Sequence, residues 1–266
     1  MPEVFRFRPT FLLQLVAVVV MSLVALPAWA ACTGVIADSG ARLWRAAAGE
    51  KAAAIDYLGH SSFLVESPEG VRIVTDYNDL VRPPVTPDIV TMNNAHSTHF
   101  TENIDPGVKF ALRGWDPGGG MANHQLQFRD VRVHNVATNV RDFGATRYNG
   151  NSIFVFEIAD LCIAHLGHLH HTLTEAHLAE LGPIDVVMVP VDGSFTLNQE
   201  DMIGVLQQIK AKIAIPMHVF SDATLARFLA RAAERAFDVR RLPEPRIVVS
   251  RAELPEKPEI IVLPGR

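Results

Sequence analysis

Two stretches of this chain concentrate side chains able to bind a metal. Asn93-Asn94-Ala95-His96-Ser97-Thr98-His99 follows the apolar run Ile89-Val90-Thr91-Met92. His165-Leu166-Gly167-His168-Leu169-His170-His171 follows Leu161-Cys162-Ile163-Ala164. With His218, which ends the run Ile213-Ala214-Ile215-Pro216-Met217, these hold seven of the chain's 11 histidines. Neutral imidazole is a good ligand for zinc and for other divalent ions, and three or four can saturate one ion. Histidines clustered at several strand ends are the way distant parts of a sequence combine into one metal centre.

Other chemistries find less support. Gly193-Ser194 follows an apolar run, yet no Gly-x-Ser-x-Gly elbow is present. Neither a phosphate-binding Walker loop nor a dinucleotide fingerprint occurs. Gly118-Gly119-Gly120 lacks a strand-to-helix context and reads as a loop. His124, His134 and His177 read as surface or loop residues, and His165 as packed behind the site.

The elements that must position these residues can be read from hydrophobic periodicity. Residues 53–58, 62–67, 71–76, 88–92, 108–113 and 131–137 read as short strands, with Pro68-Glu69-Gly70 as a hairpin turn. A strand pair follows at 152–158 and 161–166. The rhythm then changes to alternating helix and strand: a helix over 174–181 ended by Gly182, and a continuous apolar strand over 184–191. Asn198 caps the next helix, with Glu200 and Asp201 in its first turn. A strand at 213–216, a helix at 223–236, and closing strands at 246–250 and 259–263 complete the chain. A strand-rich half followed by alternating elements indicates layered sheets covered by helices. The histidine clusters fall past carboxyl ends of strands, where such architectures place their sites.

The first thirty residues have a separate logic. Arg6 and Arg8 precede an uncharged, mostly apolar run from Phe11 to Leu26, and Ala28-Trp29-Ala30 has the small-x-small pattern of a cleavage site. Residues 1–30 therefore read as a secretory signal peptide cut after Ala30, with export to the periplasm of a Gram-negative source. The apolar run is short for a membrane span, so no stable membrane insertion is expected after cleavage. Trp29 also fits poorly in the motif that would lipidate Cys32. Residues 31–50 read as a lead-in and 51–266 as one domain. The chain carries a net charge of −5. Cleavage would remove Arg6, Arg8 and Glu3, making it one unit more negative and leaving nothing basic enough for nucleic acid. Export would permit a disulfide. Cys162, however, lies inside an apolar strand and is expected to be a buried free thiol.

The order Tyr57-Leu58-Gly59-His60-Ser61-Ser62-Phe63, Ile73-Val74-Thr75-Asp76, Ala95-His96-Ser97-Thr98-His99, Ala164-His165-Leu166-Gly167-His168 and Ile215-Pro216-Met217-His218 resembles the metallo-β-lactamase fold superfamily, in particular its ascorbate-6-phosphate lactonase-like branch. The resemblance spans residue 53 to the C-terminus. It implies an α/β fold, a four-layer αββα sandwich of the metallo-β-lactamase type. The metal motif departs from the family signature His-x-His-x-Asp-His, which supplies ligands to two ions. The corresponding positions here are Asn94, His96, Thr98 and His99, and the bridging aspartate of the family is replaced by His168.

The resemblance implies a metal site of His96, His99, His168 and His218. Two lost carboxylates remove the negative charge that holds two dications together, so one divalent ion is expected, zinc or manganese. The expected function is an exported hydrolase of a small ester, lactone, amide or phosphoester that uses metal-activated water. In that reading His168 or His171 moves a proton, Asn94 or Thr98 orients the complex, and His60 steers a ligand imidazole. Asp76 is expected to be a structural acceptor, and the partner a small molecule. The alternative is a catalytically silent protein that binds a metal or small ligand in the same cleft.

Overall fold

The computed structural model of the chain describes Cys32, residues 51–142 and residues 144–265. The segments read as signal peptide and lead-in, Cys32 apart, lie outside the described residues. Strands β1 (Ala52–Gly59), β2 (Ser62–Glu66), β3 (Arg72–Val74), β4 (Ile89–Met92) and β5 (Phe110–Arg113) come first. Next are β6 (Gln125–Phe128), β7 (Val131–Asp142), β8 (Ala145–Ile158) and β9 (Leu161–His165). Then come α1 (Glu175–Leu181), β10 (Val186–Pro190), α2 (Gln199–Ile209), β11 (Ile213–Met217) and α3 (Asp222–Glu234). Strands β12 (Asp238–Arg241), β13 (Arg246–Ser250) and β14 (Glu259–Val262) close the chain.

Two sheets form. The six-stranded sheet has the order β13-β1-β2-β3-β4-β5, and the eight-stranded sheet the order β12-β14-β11-β10-β9-β8-β7-β6. Alternation within each strand supplies both an inward and an outward face. Ile55, Phe63 and Ile73 from the first sheet meet Phe154, Phe156 and Met188 from the second in one buried cluster, the layer between the sheets. Burying each such side chain contributes about 1.5–3 kcal/mol. On its other face the eight-stranded sheet packs against the helices, through Leu181 of α1, Met202 and Leu206 of α2, and Phe228 of α3. This is the expected α/β architecture of stacked sheets. Among the described residues, loops rather than helices cover the outer face of the six-stranded sheet: Val81, Val85, Phe100 and Trp115 pack onto Leu64, Val90 and Met92.

Strands β9, β10 and β11 run parallel and adjacent. Their carboxyl ends therefore bring the loops after His165, Pro190 and Met217 to one edge of the sheet. On the opposing sheet, β3 and β4 are parallel neighbours and deliver Asp76 and the Asn93–His99 loop. Gly167 lets the two loops abut. Its φ of +59° is cheap only for glycine, and a Cβ there would sit 2.5 Å from the Asn93 side chain.

Two features differ from the sequence reading. Strands β7 and β8 extend as a hairpin well beyond Ala137 and Ser152, to Asp142 and Ala145. Cys162 is not a free thiol: it forms a disulfide with Cys32, with 5.7 Å between the two Cα atoms. Export is compatible with such a bond, but nothing in residues 33–50 signals that the chain returns to β9.

Candidate metal centre

His60, His99, His96, His168 and His218 converge. Ring centroids lie 4.3 Å apart for His60 and His218, 4.8 Å for His99 and His168, and 5.1 Å for His168 and His218. His96 stands farther out, 6.0 Å from His99 and 6.1 Å from His168. Within this group the ligand atoms of His60, His99 and His218 all lie within 4.8 Å of one another.

Carboxylates orient two of these rings. Asp76 Oδ2 accepts from His99 Nδ1 at 2.5 Å, and Asp192 Oδ1 accepts from His218 Nδ1 at 2.9 Å. An Nδ1–H held this way leaves the Nε2 lone pair facing the cluster, the arrangement that metal-binding histidines use. His99 Nε2 and His60 Nε2 are both buried without a hydrogen-bond partner. Such an orphaned acceptor costs roughly 1–3 kcal/mol, and a cation coordinated at the same point satisfies it. The donor set thus fits a divalent metal.

Backbone geometry is unusual at the same place. His60, Asp76 and His218 all have positive φ, at 52°, 44° and 58°. Non-glycine residues rarely adopt this region, and such conformations gather at functional sites. The His218 amide donates to the His60 carbonyl at 2.6 Å, tying the two turns together.

Burial governs the protonation of the cluster. It pushes His60 down to about 4, with repulsion from His218 and His99 adding to the shift. Burial, then His218 and His96, hold His99 well below the ordinary imidazole value. Burial would raise Asp192, but hydrogen bonds from His218, Thr196 and the Ser194 amide outweigh it and keep the carboxylate ionised. Desolvation raises Asp76, against the pull of His165 and the Asn93 amide.

The roles expected from sequence change in three places. His60 does not hydrogen-bond a ligand imidazole; it offers one of the three converging ligand atoms itself, and its Nε2 is buried without a partner. His168 lies in the cluster, but its tautomer argues against ligation. Arg141 donates from its amide (3.0 Å) and its Nε (3.4 Å) to His170 Nδ1, so a neutral His170 carries its proton on Nε2. That proton points at His168 Nδ1, 2.5 Å away. His168 Nδ1 is then an acceptor, and its own proton sits on Nε2 as a donor. His171 is spent elsewhere: Nε2 accepts from the Asn139 amide at 3.0 Å, Nδ1 donates to the Thr172 carbonyl at 2.7 Å, and the ring packs on His177. Both of its ring nitrogens are thus engaged away from the cluster.

The other candidates have clear places. His96 is exposed and held by the Thr98 hydroxyl at 3.0 Å from Nδ1. Asn94 Oδ1 accepts from Arg147 at 2.6 Å. Both ring nitrogens of the buried His165 are engaged, by the Ser61 carbonyl and the Gly167 amide. His134 is buried in β7 rather than on the surface, and burial lowers its pKa. Sequence reasoning missed Asp192; its signal was a carboxylate one residue past the apolar run Ile184–Val191. An apolar rim completes the site, where exposed Phe220 meets the rings of His60 and His218 and packs on exposed Phe195 at 5.4 Å.

A sequence profile for a beta-lactamase superfamily domain matches residues 54–218, more than half of the chain. The chain belongs to the metallo-β-lactamase superfamily. A relative from Carboxydothermus hydrogenoformans, described as a UPF0173 metal-dependent hydrolase, is 27% identical over 193 residues, covering 62% of this chain and 83% of its own. A second of the same description, from Desulforamulus reducens, is 24% identical. Among solved structures, a Thermotoga maritima protein described as a Zn-dependent hydrolase of the superfamily aligns with a TM-score of 0.58 and 29% identity. That alignment covers 80% of this chain and all of the Thermotoga one. A metallo hydrolase from Ignicoccus hospitalis shares the fold at a TM-score of 0.52 and 16% identity, over 69% of this chain and 91% of its own.

Proposed function

We propose that the protein is an exported, metal-dependent hydrolase of a small ester, lactone, amide or phosphoester, with one divalent ion per chain held by His60, His99 and His218. The observation that carries this reading is the pair of buried, unpartnered Nε2 atoms on His60 and His99, converging with His218. Relatives described as metal-dependent hydrolases support it. A divalent cation supplies Lewis acidity there, polarising the substrate's reacting oxygen and acidifying water.

The chain's own residues do the rest. Asp76 and Asp192 fix the tautomers of His99 and His218. His168, held by His170, presents Nε2–H as a donor for the oxygen on which charge develops. Phe195 and Phe220 offer an exposed apolar rim for the non-polar part of a substrate. No carboxylate of the cluster remains free to bridge a second ion, since Asp76 and Asp192 both serve imidazoles.

Elemental analysis of purified protein is the test, with zinc or manganese supplied. The expected result is about one equivalent per chain, because adjacent dications repel strongly. It should be accompanied by hydrolysis in a panel of chromogenic esters, lactones and phosphoesters. No bound metal would overturn the reading; tight metal binding without turnover would leave a silent binder. Export is supported by the N-terminal pattern and by the Cys32–Cys162 bridge, a bond that persists in oxidising compartments. Mass spectrometry of the mature protein should find Ala31 first.

A further inference from the structure

Strand β12 ends the eight-stranded sheet, with β14 on one side and, among the described residues, no strand on the other. All four of its residues, Asp238-Val239-Arg240-Arg241, are exposed. The pairing with β14 decides which backbone groups are spare. The amides of Asp238 and Leu242 donate to the carbonyls of Pro258 and Val262, both at 3.0 Å. Alternate residues of a parallel ladder bond the same neighbour. Asp238, Arg240 and Leu242 therefore face β14, and Val239 and Arg241 turn N–H and C=O outward. Such an edge is a ready template for another strand. Pro243 and Pro245 follow directly and confine that pairing to this short segment.

The side chains of this edge are complementary to themselves. Asp238 lies across the ladder from Glu259, a like charge, and among the described residues its carboxylate has no ion pair. Arg240 grips Glu259 with Nε at 2.8 Å and Nη2 at 3.0 Å, leaving Nη1 unused. Being two residues apart, Asp238 and Arg240 share one face of the strand, and Val239, 41% exposed, lies on the other. A second β12 can be laid antiparallel to the first about a two-fold axis at Val239. Val239 then meets the partner's Val239, and the two exchange both of their outward backbone hydrogen bonds. Asp238 falls opposite the partner's Arg240, and Arg240 opposite the partner's Asp238, in the closer, non-hydrogen-bonded positions. Moving the axis one residue on would set Arg240 against the partner's Arg240.

We propose that β12 is a self-association edge, through which two copies of this chain pair about a two-fold axis at Val239 and join their eight-stranded sheets into one. Backbone direction permits this register, and the charge pattern selects it. Strands β11, β14 and β12 run parallel. The axis therefore sends the metal clefts of the two copies to opposite edges of the joined sheet, and both stay open. Dimerisation and the hydrolase reading are thus independent. So short a strand pair belongs with interfaces below ~1,200 Å², so the dimer is reversible, with a Kd in the micromolar range or above.

Sedimentation equilibrium of the metal-loaded chain, from low micromolar concentration upwards, is the test. The weight-average mass should climb from that of one chain towards that of two and stop there, since a two-fold edge pairing closes on itself. Val239→Pro removes an outward N–H that makes no bond within its own sheet. It should hold the mass at one chain, with the melting temperature of the dilute protein unchanged. Asp238→Arg sets like charges opposite each other at two places in the dimer and should weaken association by roughly tenfold. Adding Arg240→Asp to that variant should restore the dimer, which separates a charge pair between copies from a general effect of charge. Metal content should be the same in all variants.

A single-chain mass at every concentration would overturn the proposal. So would a dimer indifferent to Val239→Pro, which places the interface elsewhere, or a mass that passes beyond two chains. Failure of the charge-reversed pair to recover association would overturn the register.

Discussion

The two walls of the histidine cleft are built on opposite principles. On one wall His99 and His218 are buried and His60 is half-buried, and Asp76 and Asp192 stand directly behind two of the rings. On the other, His96 is exposed, a threonine hydroxyl takes the place of a carboxylate behind it, and Asn94 is committed to Arg147. The first wall concentrates lone pairs and negative charge and suits a cation. The second has lost its carboxylate and gained guanidinium groups. A metallo-β-lactamase cleft can thus keep half of its metal-binding apparatus while the other half is turned over to positive charge.

The largest effect that could break this comparison is loss of the metal. His99→Ala or His218→Ala should abolish metal binding by elemental analysis while circular dichroism shows the fold retained; metal retained in both would refute the assignment. Next, Asp192→Asn should weaken metal affinity about 10- to 100-fold, the usual cost of losing a carboxylate behind a ligand histidine. Competition with a chelator measures it.

A smaller effect concerns pH. His60 titrates at about 4 in the folded chain, against ~6.5 for an unperturbed imidazole. In that interval the unfolded chain binds more protons than the folded one, so stability of the metal-free protein rises with pH there. It is full above pH ~6.5 and declines as pH falls towards 4. Melting temperatures recorded across that window check the sign. In the metal-loaded protein, proton competition at His60 should set in only towards pH 4, and release complete at pH 6 would contradict the burial of this wall. The smallest effect is expected from His96→Ala, which should lower metal affinity only severalfold. A loss equal to that of His99→Ala would erase the distinction between the walls.

Much of this architecture is legible in the residue pattern alone. The continuous apolar runs of β9, β10 and β11 announce strands covered on both faces, and the histidines at their ends announce a site. Local signals fail where long-range pairing decides the outcome. The outer half of the β7–β8 hairpin is polar, and only its pairing, Val140 with Arg147 and Asp142 with Ala145, makes it strand. Strand β12 is fully exposed and joins the sheet only by pairing with β14. The order of residues cannot show that His60 points at His218 rather than away, since positive φ at both positions sets their direction. Nor does sequence disclose a tautomer: by position His168 resembles a ligand, and only the contacts of Arg141 with His170 make it a donor.

The bond between Cys32 and Cys162 has a consequence for how this protein is held in its surroundings. A cysteine sulfur can form only one further covalent bond, and the Sγ of Cys32 has given it to β9. While that bond stands, the sulfur has no thioether to offer a diacylglycerol. Cys32 is thus tied covalently to the strand that leads to His165 and His168.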